Sequence, residues 1–169
     1  MVTLRIFVKD LTAETLDDHP CFKRSNTETV KMTKDWLRKV YERFGPCVKV
    51  AYVENMAVAM IQYAPMDIFP HVTNPEDHES VVVHCVYVTE KEYRGKGIAR
   101  RLVESLIQDL KKPHPYLNGG RFKKIVVLAG KARPGPAGPV DFFSKVGFTV
   151  AKKITEEDVL MQIQLHHDG

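Results

Sequence analysis

The sequence predicts an α/β fold (α+β layered) with one central, mixed, mostly antiparallel sheet of about seven strands flanked by helices. Three observations predict it. Apolar residues alternate with period two in several short runs, and two longer stretches switch to helical spacing. A nearly continuous apolar run, Val81–Val88, has the pattern of a strand buried on both faces and leads through a short turn into one of those helices.

The elements follow in order. Val2, Leu4, Ile6 and Val8 alternate as in a first strand, and Arg5 and Lys9 interrupt any apolar leader, so the segment does not read as a secretory signal. A short polar helix is expected near residues 10–18. Ser25 and Glu28 have the spacing of a capping box. Behind them Val30, Thr33, Leu37, Val40, Tyr41 and Phe44 recur at helical spacing until Gly45-Pro46 ends the helix. Val48–Val53 and Met56–Tyr63 form a hairpin about Glu54-Asn55, and residues 64–79, rich in proline and acids, form a long loop. Over residues 97–112, Ile98, Leu102, Val103, Leu106, Ile107 and Leu110 share one helical face. Arg121–Ala129 reads as a strand, Lys131–Pro139 as a Pro/Gly loop and Val140–Lys145 as a short helix closed by Gly147. Phe148–Ile154 and Val159–Leu165 read as two final strands. No repeat and no Gly/Ser-rich linker divides the chain, so residues 1–169 are expected to form one domain.

Composition narrows the class. Hydrophobic residues make up 44% of the 169, too many for a disordered chain, and no apolar run approaches the ~20 residues of a membrane span. The 25 Lys and Arg exceed the 21 Asp and Glu by a net +4, a modest balance that does not predict a nucleic-acid partner. Cys21, Cys47 and Cys85 are odd in number and form no C-x-x-C pair, which fits small buried hydrophobes in a reducing cytoplasm.

The chemistry concentrates in Val86-Tyr-Val-Thr-Glu-Lys-Glu-Tyr-Arg94-Gly95-Lys96-Gly97-Ile98-Ala99. Here a buried strand turns into a helix whose start is glycine-rich and basic. The first N–H groups of a helix lack internal partners and lie at the positive end of its dipole. Gly95 and Gly97 let an anion approach that backbone, and Arg94 and Lys96 add charge, as a diphosphate site requires. Neither a P-loop nor a dinucleotide fingerprint fits, because Gly97 follows Lys96 and Arg100 stands where the third glycine belongs.

Arg94-Gly-Lys-Gly-Ile-Ala99 resembles motif A of the GNAT superfamily of N-acetyltransferases, and Phe142-Phe-Ser-Lys-Val-Gly-Phe148 is similar to that family's Phe-Tyr-x-Lys-x-Gly-Phe. The resemblance implies the acyl-CoA N-acyltransferase fold over the whole of residues 1–169 and acetyl-CoA as co-substrate, with no metal. It implies that the backbone at Val86, Tyr87 and Val88 pairs with the pantetheine arm. The N–H groups of Arg94, Gly95, Lys96, Gly97, Ile98 and Ala99 would hold the diphosphate, with Arg100 or Arg101 reaching the adenosine phosphate. The Val86 N–H would contact the oxyanion. Phe143 occupies the cofactor-side position where the family often has a proton-donating Tyr, and an Asn of the family is missing from the aligned Arg133–Pro139. Water, Ser144 or a nearby Tyr could serve the leaving thiolate instead.

His84, just before the pantetheine segment, and Glu79, at the start of the same strand, are the candidate general bases, with His78 and Asp77 behind them. Cys85 neighbours His84, but adjacent strand residues face opposite ways, so it reads as structural. His71, His78 and Asp77 are too loosely spaced to predict a metal site, and His166-His167 reads as a tail. The acids Asp67, Glu76, Asp77 and Glu79 suggest that the acceptor is a primary amine, of a small molecule or a protein. The expected enzyme is therefore an acetyl-CoA-dependent N-acetyltransferase, monomeric or homodimeric. The alternative is an acetyl-CoA-binding sensor with little turnover.

Overall fold

The computed structural model describes residues 4–68, 76–131 and 137–165. Its strands are β1 (Ile6–Asp10), β2 (Val48–Val53), β3 (Met56–Pro65), β4 (Ser80–Val88), β5 (Lys124–Gly130), β6 (Gly138–Pro139), β7 (Thr149–Lys153) and β8 (Asp158–Gln164). Its α-helices are α1 (Thr27–Arg43), α2 (Ile98–Leu110) and α3 (Val140–Lys145). The strands form one sheet in the order β1-β2-β3-β4-β5-β8-β7, with the two-residue β6 beside β5. Pairing is antiparallel except for β4 with β5 and β5 with β6. The expected mixed sheet is thus present; the short β6 is an addition, made inside the Pro/Gly loop.

Local chemistry explains the boundaries. The first part of the chain forms two 3-10 turns, Ala13–Asp18 and Pro20–Arg24, in place of one polar helix; Thr15 departs from helical geometry inside the first, and Pro20 opens the second. Asn26, and not Ser25, caps α1: its side chain accepts the Thr29 N–H at 2.8 Å, whereas the Ser25 hydroxyl donates to the Cys21 carbonyl. Gly45 follows the helix with φ +105°, open to glycine and strained for other residues. Glu54 and Asn55, at φ +51° and +66°, close the β2–β3 hairpin with the twist that suits its strands. The expected loop begins late: β3 runs on to Pro65 and Met66–Ile68 makes a 3-10 turn, while Phe69 and His71 lie outside the described residues.

α1 covers one face of the sheet and α2 the other. Leu37 of α1 and Val48 of β2 line one cavity, whereas neighbouring Lys49 points the opposite way to α2. Five α2 residues, Ile98, Leu102, Val103, Leu106 and Leu110, are buried against β1 to β4. Burial of such side chains stabilises the fold by about 1.5–3 kcal/mol each.

Among the described residues, Lys49 is the one charged group in this interior and is only 3% exposed. Its ammonium donates to Asp10 of β1 at 2.8 Å and to Asp109 of α2, joining three elements through one cation. Burial alone would lower the Lys49 pKa, but the two carboxylates outweigh it and hold the value above normal. Asp109→Ala should destabilise the protein by about 1.5–3 kcal/mol in urea unfolding, the range for a hydrogen bond to a charged group. Lys49→Met, which keeps the apolar stem and leaves two half-exposed acids to water, should lose less than Lys49→Ala. Because the folded pKa is raised, the cation's contribution is complete below the ordinary value of 10.5 and is lost as pH rises through the higher folded value. The stability gap between wild type and Lys49→Met should therefore narrow as pH rises through the Lys49 pKa, which urea unfolding over an alkaline pH series would show.

Candidate active site

Parallel pairing of β4 with β5 covers only Ser80–Val83 against Lys124–Val127. Beyond it the strands part, and residue 137 bridges them: the Ala137 N–H donates to the Leu128 carbonyl at 3.0 Å, and the Val86 N–H donates to the Ala137 carbonyl at 3.1 Å. The parting opens a cleft of about 490 Å³ between β4, the start of α2 and α3. Val86, Val88, Arg94, Gly95, Gly97, Ile98 and Ala99 line it, as the sequence leads one to expect.

Gly95 and Gly97 adopt φ +71° and +80°, and a Cβ on either would meet nothing within 4 Å. The cradle is open space in front of a helix start. Gly97 is the N-cap of α2 and offers no side chain to the first turn, so helix geometry leaves the N–H groups of Ile98, Ala99 and Arg100 without intrahelical carbonyls. Arg94 is exposed at the cleft wall, and exposed Lys96 stands between the two lining glycines. Arg100 also lines the cleft while pairing with Glu104 at 2.8 Å. An anion with several oxygens fits this array of donors, positive charge and free space.

Several expected site residues lie elsewhere. Backbone groups alternate along a strand, and those of Val86 and Val88 face the parting. Tyr87 pairs with Met60 of β3, its peptide groups turn to that strand, and its ring stacks under Arg24 on the α1 side. It does not line the cleft. Phe143 is fully buried against Phe142, Phe148 and the backbone of Gly138; the cleft is lined instead by Phe142, Lys145 and Val146. The one-residue difference follows from the phase of α3, which turns Phe143 into the core. The residues aligned with the missing Asn fall largely in 132–136, outside the described residues.

Glu79 is a half-exposed partner of Lys123 at 2.9 Å, just before β4. At the rise of an extended strand that is about 20 Å from Val86, too far for a base. The other acids are engaged at the same distant end. Asp77 accepts from the Glu79 N–H and the Ser80 hydroxyl, and Asp67 accepts from the Tyr116 hydroxyl at 2.8 Å and pairs with His78 at 3.0 Å. They give no separate support to an acceptor site at the cleft. Among the described residues, no cluster of three or more His, Cys, Asp or Glu could hold a metal ion.

His84 does lie beside the parting. Pairing with β3 shifts between Gln62/Tyr63, which oppose Cys85 and Val83, so His84 is the extra residue of a β-bulge. The bulge breaks the strict alternation expected here. The His84 ring packs 5.0 Å from Trp36 of α1 and neighbours Gln62, while Cys85 faces Cys21 on that same side. Burial, with a smaller contribution from Cys21, pushes the Cys85 thiol up to about 12, so it is a neutral thiol and no nucleophile. A second, apolar cavity of about 230 Å³, lined by Leu11, Leu16, Leu37, Tyr41, Cys47 and Val48, lies under α1 away from these groups.

A sheet covered by helices on both faces, parting beside a glycine-rich helix start, is the architecture with which the comparisons agree. The chain belongs to the acetyltransferase (GNAT) family, whose profile matches residues 9–118. No curated protein matches the sequence significantly. Among solved structures, it is similar to an acetyltransferase from Thermus thermophilus at 15% identity and TM-score 0.67, covering 98% of this chain and 100% of that one. A GNAT family N-acetyltransferase (YhbS) from Escherichia coli in complex with CoA aligns at 18% identity and TM-score 0.66, over 98% and 84% of the two chains. The ribosomal-protein-S18-alanine N-acetyltransferase from Escherichia coli aligns at 13% identity and TM-score 0.63, over 98% and 97%. At these identities the likeness is one of fold.

Gly97→Ala tests the cradle. The new Cβ sits at a positive φ, at about 1–2 kcal/mol of strain, and fills space in front of the first turn. The variant should remain folded and bind CoA about tenfold or more weakly by isothermal titration.

Proposed function

We infer that residues 1–169 form one N-acetyltransferase domain that moves an acetyl group from acetyl-CoA to an amine of a small molecule or protein. The observation that carries the reading is the open cradle of Gly95 and Gly97 at the start of α2, beside two strands that part. No helix among the described residues is long and apolar enough to cross a membrane, and the three cysteines are free, which suits a cytoplasmic enzyme.

The N–H groups of Ile98, Ala99 and Arg100, with Arg94 and Lys96, would hold the diphosphate. Val86 and Val88 turn backbone groups to the parting, where an extended arm can pair; to use the Val86 N–H, it must replace the Ala137 carbonyl. The neutral amine then forms a C–N bond to the thioester carbon, and the carbonyl π pair moves to oxygen. The carbonyl re-forms as the C–S bond breaks, its pair leaves on sulfur, and the nitrogen gives up a proton. The products are an amide and CoA thiol. The protein contributes orientation and donors to the transient oxyanion.

Release of free CoA thiol across a panel of amines, after titration with CoA alone, tests the reading. Binding with turnover supports it; binding without turnover on any amine favours a sensor, and no binding overturns both. Phe143 gives a sharper check. Because its ring is fully buried, Phe143→Tyr should place a hydroxyl in the core, lower stability by about 1–3 kcal/mol and leave the transfer rate without a gain. A faster variant would put position 143 at the leaving group after all.

A further inference from the structure

The two halves of the cleft are in different states. The cradle of Gly95 and Gly97 is open space before the first turn of α2. The edge of β4 beside it is occupied, by a piece of the same chain. The Val86 N–H donates to the Ala137 carbonyl at 3.1 Å, and the Ala137 N–H donates to the Leu128 carbonyl of β5 at 3.0 Å. Ala137 is only 2% exposed, and Gly138 and Pro139 after it pair in parallel with Ala129 and Gly130 of β5. All three residues line the cleft. They form a strap that holds the parted strands together.

The strap has a fitted seat. Gly138 has φ +154°, and a Cβ there would meet a ring carbon of Phe143 at 3.2 Å. That ring is fully buried against Phe142 and Phe148, so the contact lies on the core side of the strap. Toward the strands, Ala137 supplies a carbonyl acceptor to β4 and an N–H donor to β5. Those are the groups of a secondary amide, and the pantetheine arm of CoA carries secondary amides. Such an arm can take over the strap's bonds without leaving buried peptide groups unpaired. A diphosphate has acceptors and no N–H, and gives the Leu128 carbonyl nothing.

Resting on the acetyl-CoA reading, we propose that Ala137–Pro139 is an autoinhibitory strap, the chain's own occupant of the place the arm takes. Binding then has two steps. The diphosphate docks on the open cradle, and the arm afterwards exchanges with the strap. The exchange breaks the bonds of Ala137 to Val86 and Leu128 and gives the Val86 N–H to the arm. Because only molecules with the strap displaced accept the arm, the strap lowers the apparent affinity for CoA by the fraction it holds closed. A ligand without an arm gains nothing from displacing the strap and leaves it in place.

Amide hydrogen exchange of the full chain, read residue by residue by NMR, tests this with CoA and with ADP, which has a diphosphate and no arm. In the free protein the Val86 and Ala137 amides should both be protected. Saturating CoA should speed exchange at Ala137 about tenfold or more, while Val86 stays protected by its new partner. Saturating ADP should leave both as in the free protein. Ala137 protection that is absent from the free protein, or kept in the CoA complex, overturns the strap alone. Faster exchange at Ala137 with ADP overturns the arm's part in the displacement, and ADP that does not bind overturns the first step. Gly138→Ala, its fold checked by circular dichroism, should loosen the seat. In the free variant Val86 should exchange about tenfold faster, and CoA should associate faster in stopped flow. A folded variant with wild-type exchange at Val86 overturns the support from Phe143. A wild type that binds no CoA overturns the acetyl-CoA reading, and the strap's role with it.

Discussion

Everything at the site depends on one break in hydrogen bonding: β4 and β5 pair for four residues each and then stop. A parallel pair that continued would satisfy the Val86 and Val88 peptide groups within the sheet and leave no cleft. The break is stabilised from within, because Ala137 joins the Val86 N–H to the Leu128 carbonyl through its own peptide groups. Buried peptide groups are seldom left without partners. A replaceable segment of the same chain is a way to keep an opening at a sheet's centre without that penalty.

Much of this was legible in the sequence. Periodicity and apolar runs located the strands other than β6 and the helices α1 and α2, because each apolar face that packs has to be written in residues. Gly95-Lys96-Gly97 was legible through its flanks, a buried strand before it, an amphipathic helix after it and basic Arg94 beside it, since such a turn alone is commonly no more than a turn. What was not legible depends on phase and on distance. Phe142 and Phe143 are identical in type, and only the exact rotation of α3 decides which lines the cleft and which enters the core. Glu79 and His84 sit on one continuous run, but extended backbone separates its two ends widely. Tyr87 differs from Val86 and Val88 by the parity of the strand, and that parity depends on a bulge that leaves no mark in composition. His19 and Gln62 carry no motif; their meeting with His84 is a tertiary fact.

The bulge also explains why a polar chain survives in an apolar interior. A buried imidazole or carboxamide is unfavourable unless its donors and acceptors are matched. His19 and Gln62 meet that condition, anchored at one end by a peptide N–H that cannot change sense. Lys49 solves the corresponding problem for charge, with a carboxylate on each side of a single cation. The two devices sit on opposite faces of β2 and β3, one tying α2 to the edge of the sheet and the other tying the 3-10 turns to its centre.

The parallel pairing of Ser80–Val83 with Lys124–Val127 has a further consequence for how the molecule is assembled. The hairpin of β2 and β3 closes through two residues, but β4 reaches β5 only after the whole of α2 and the Pro115–Leu117 turn have been laid across the sheet. Loop closure of that kind is slow, since chain entropy is lost before the contacts repay it. The cleft therefore depends on a pairing about as distant in sequence as that of β1 with β2. A chain that lacks this pairing can keep its local hairpins but has no cleft, so an open cleft reports that the two strands on either side of it have met.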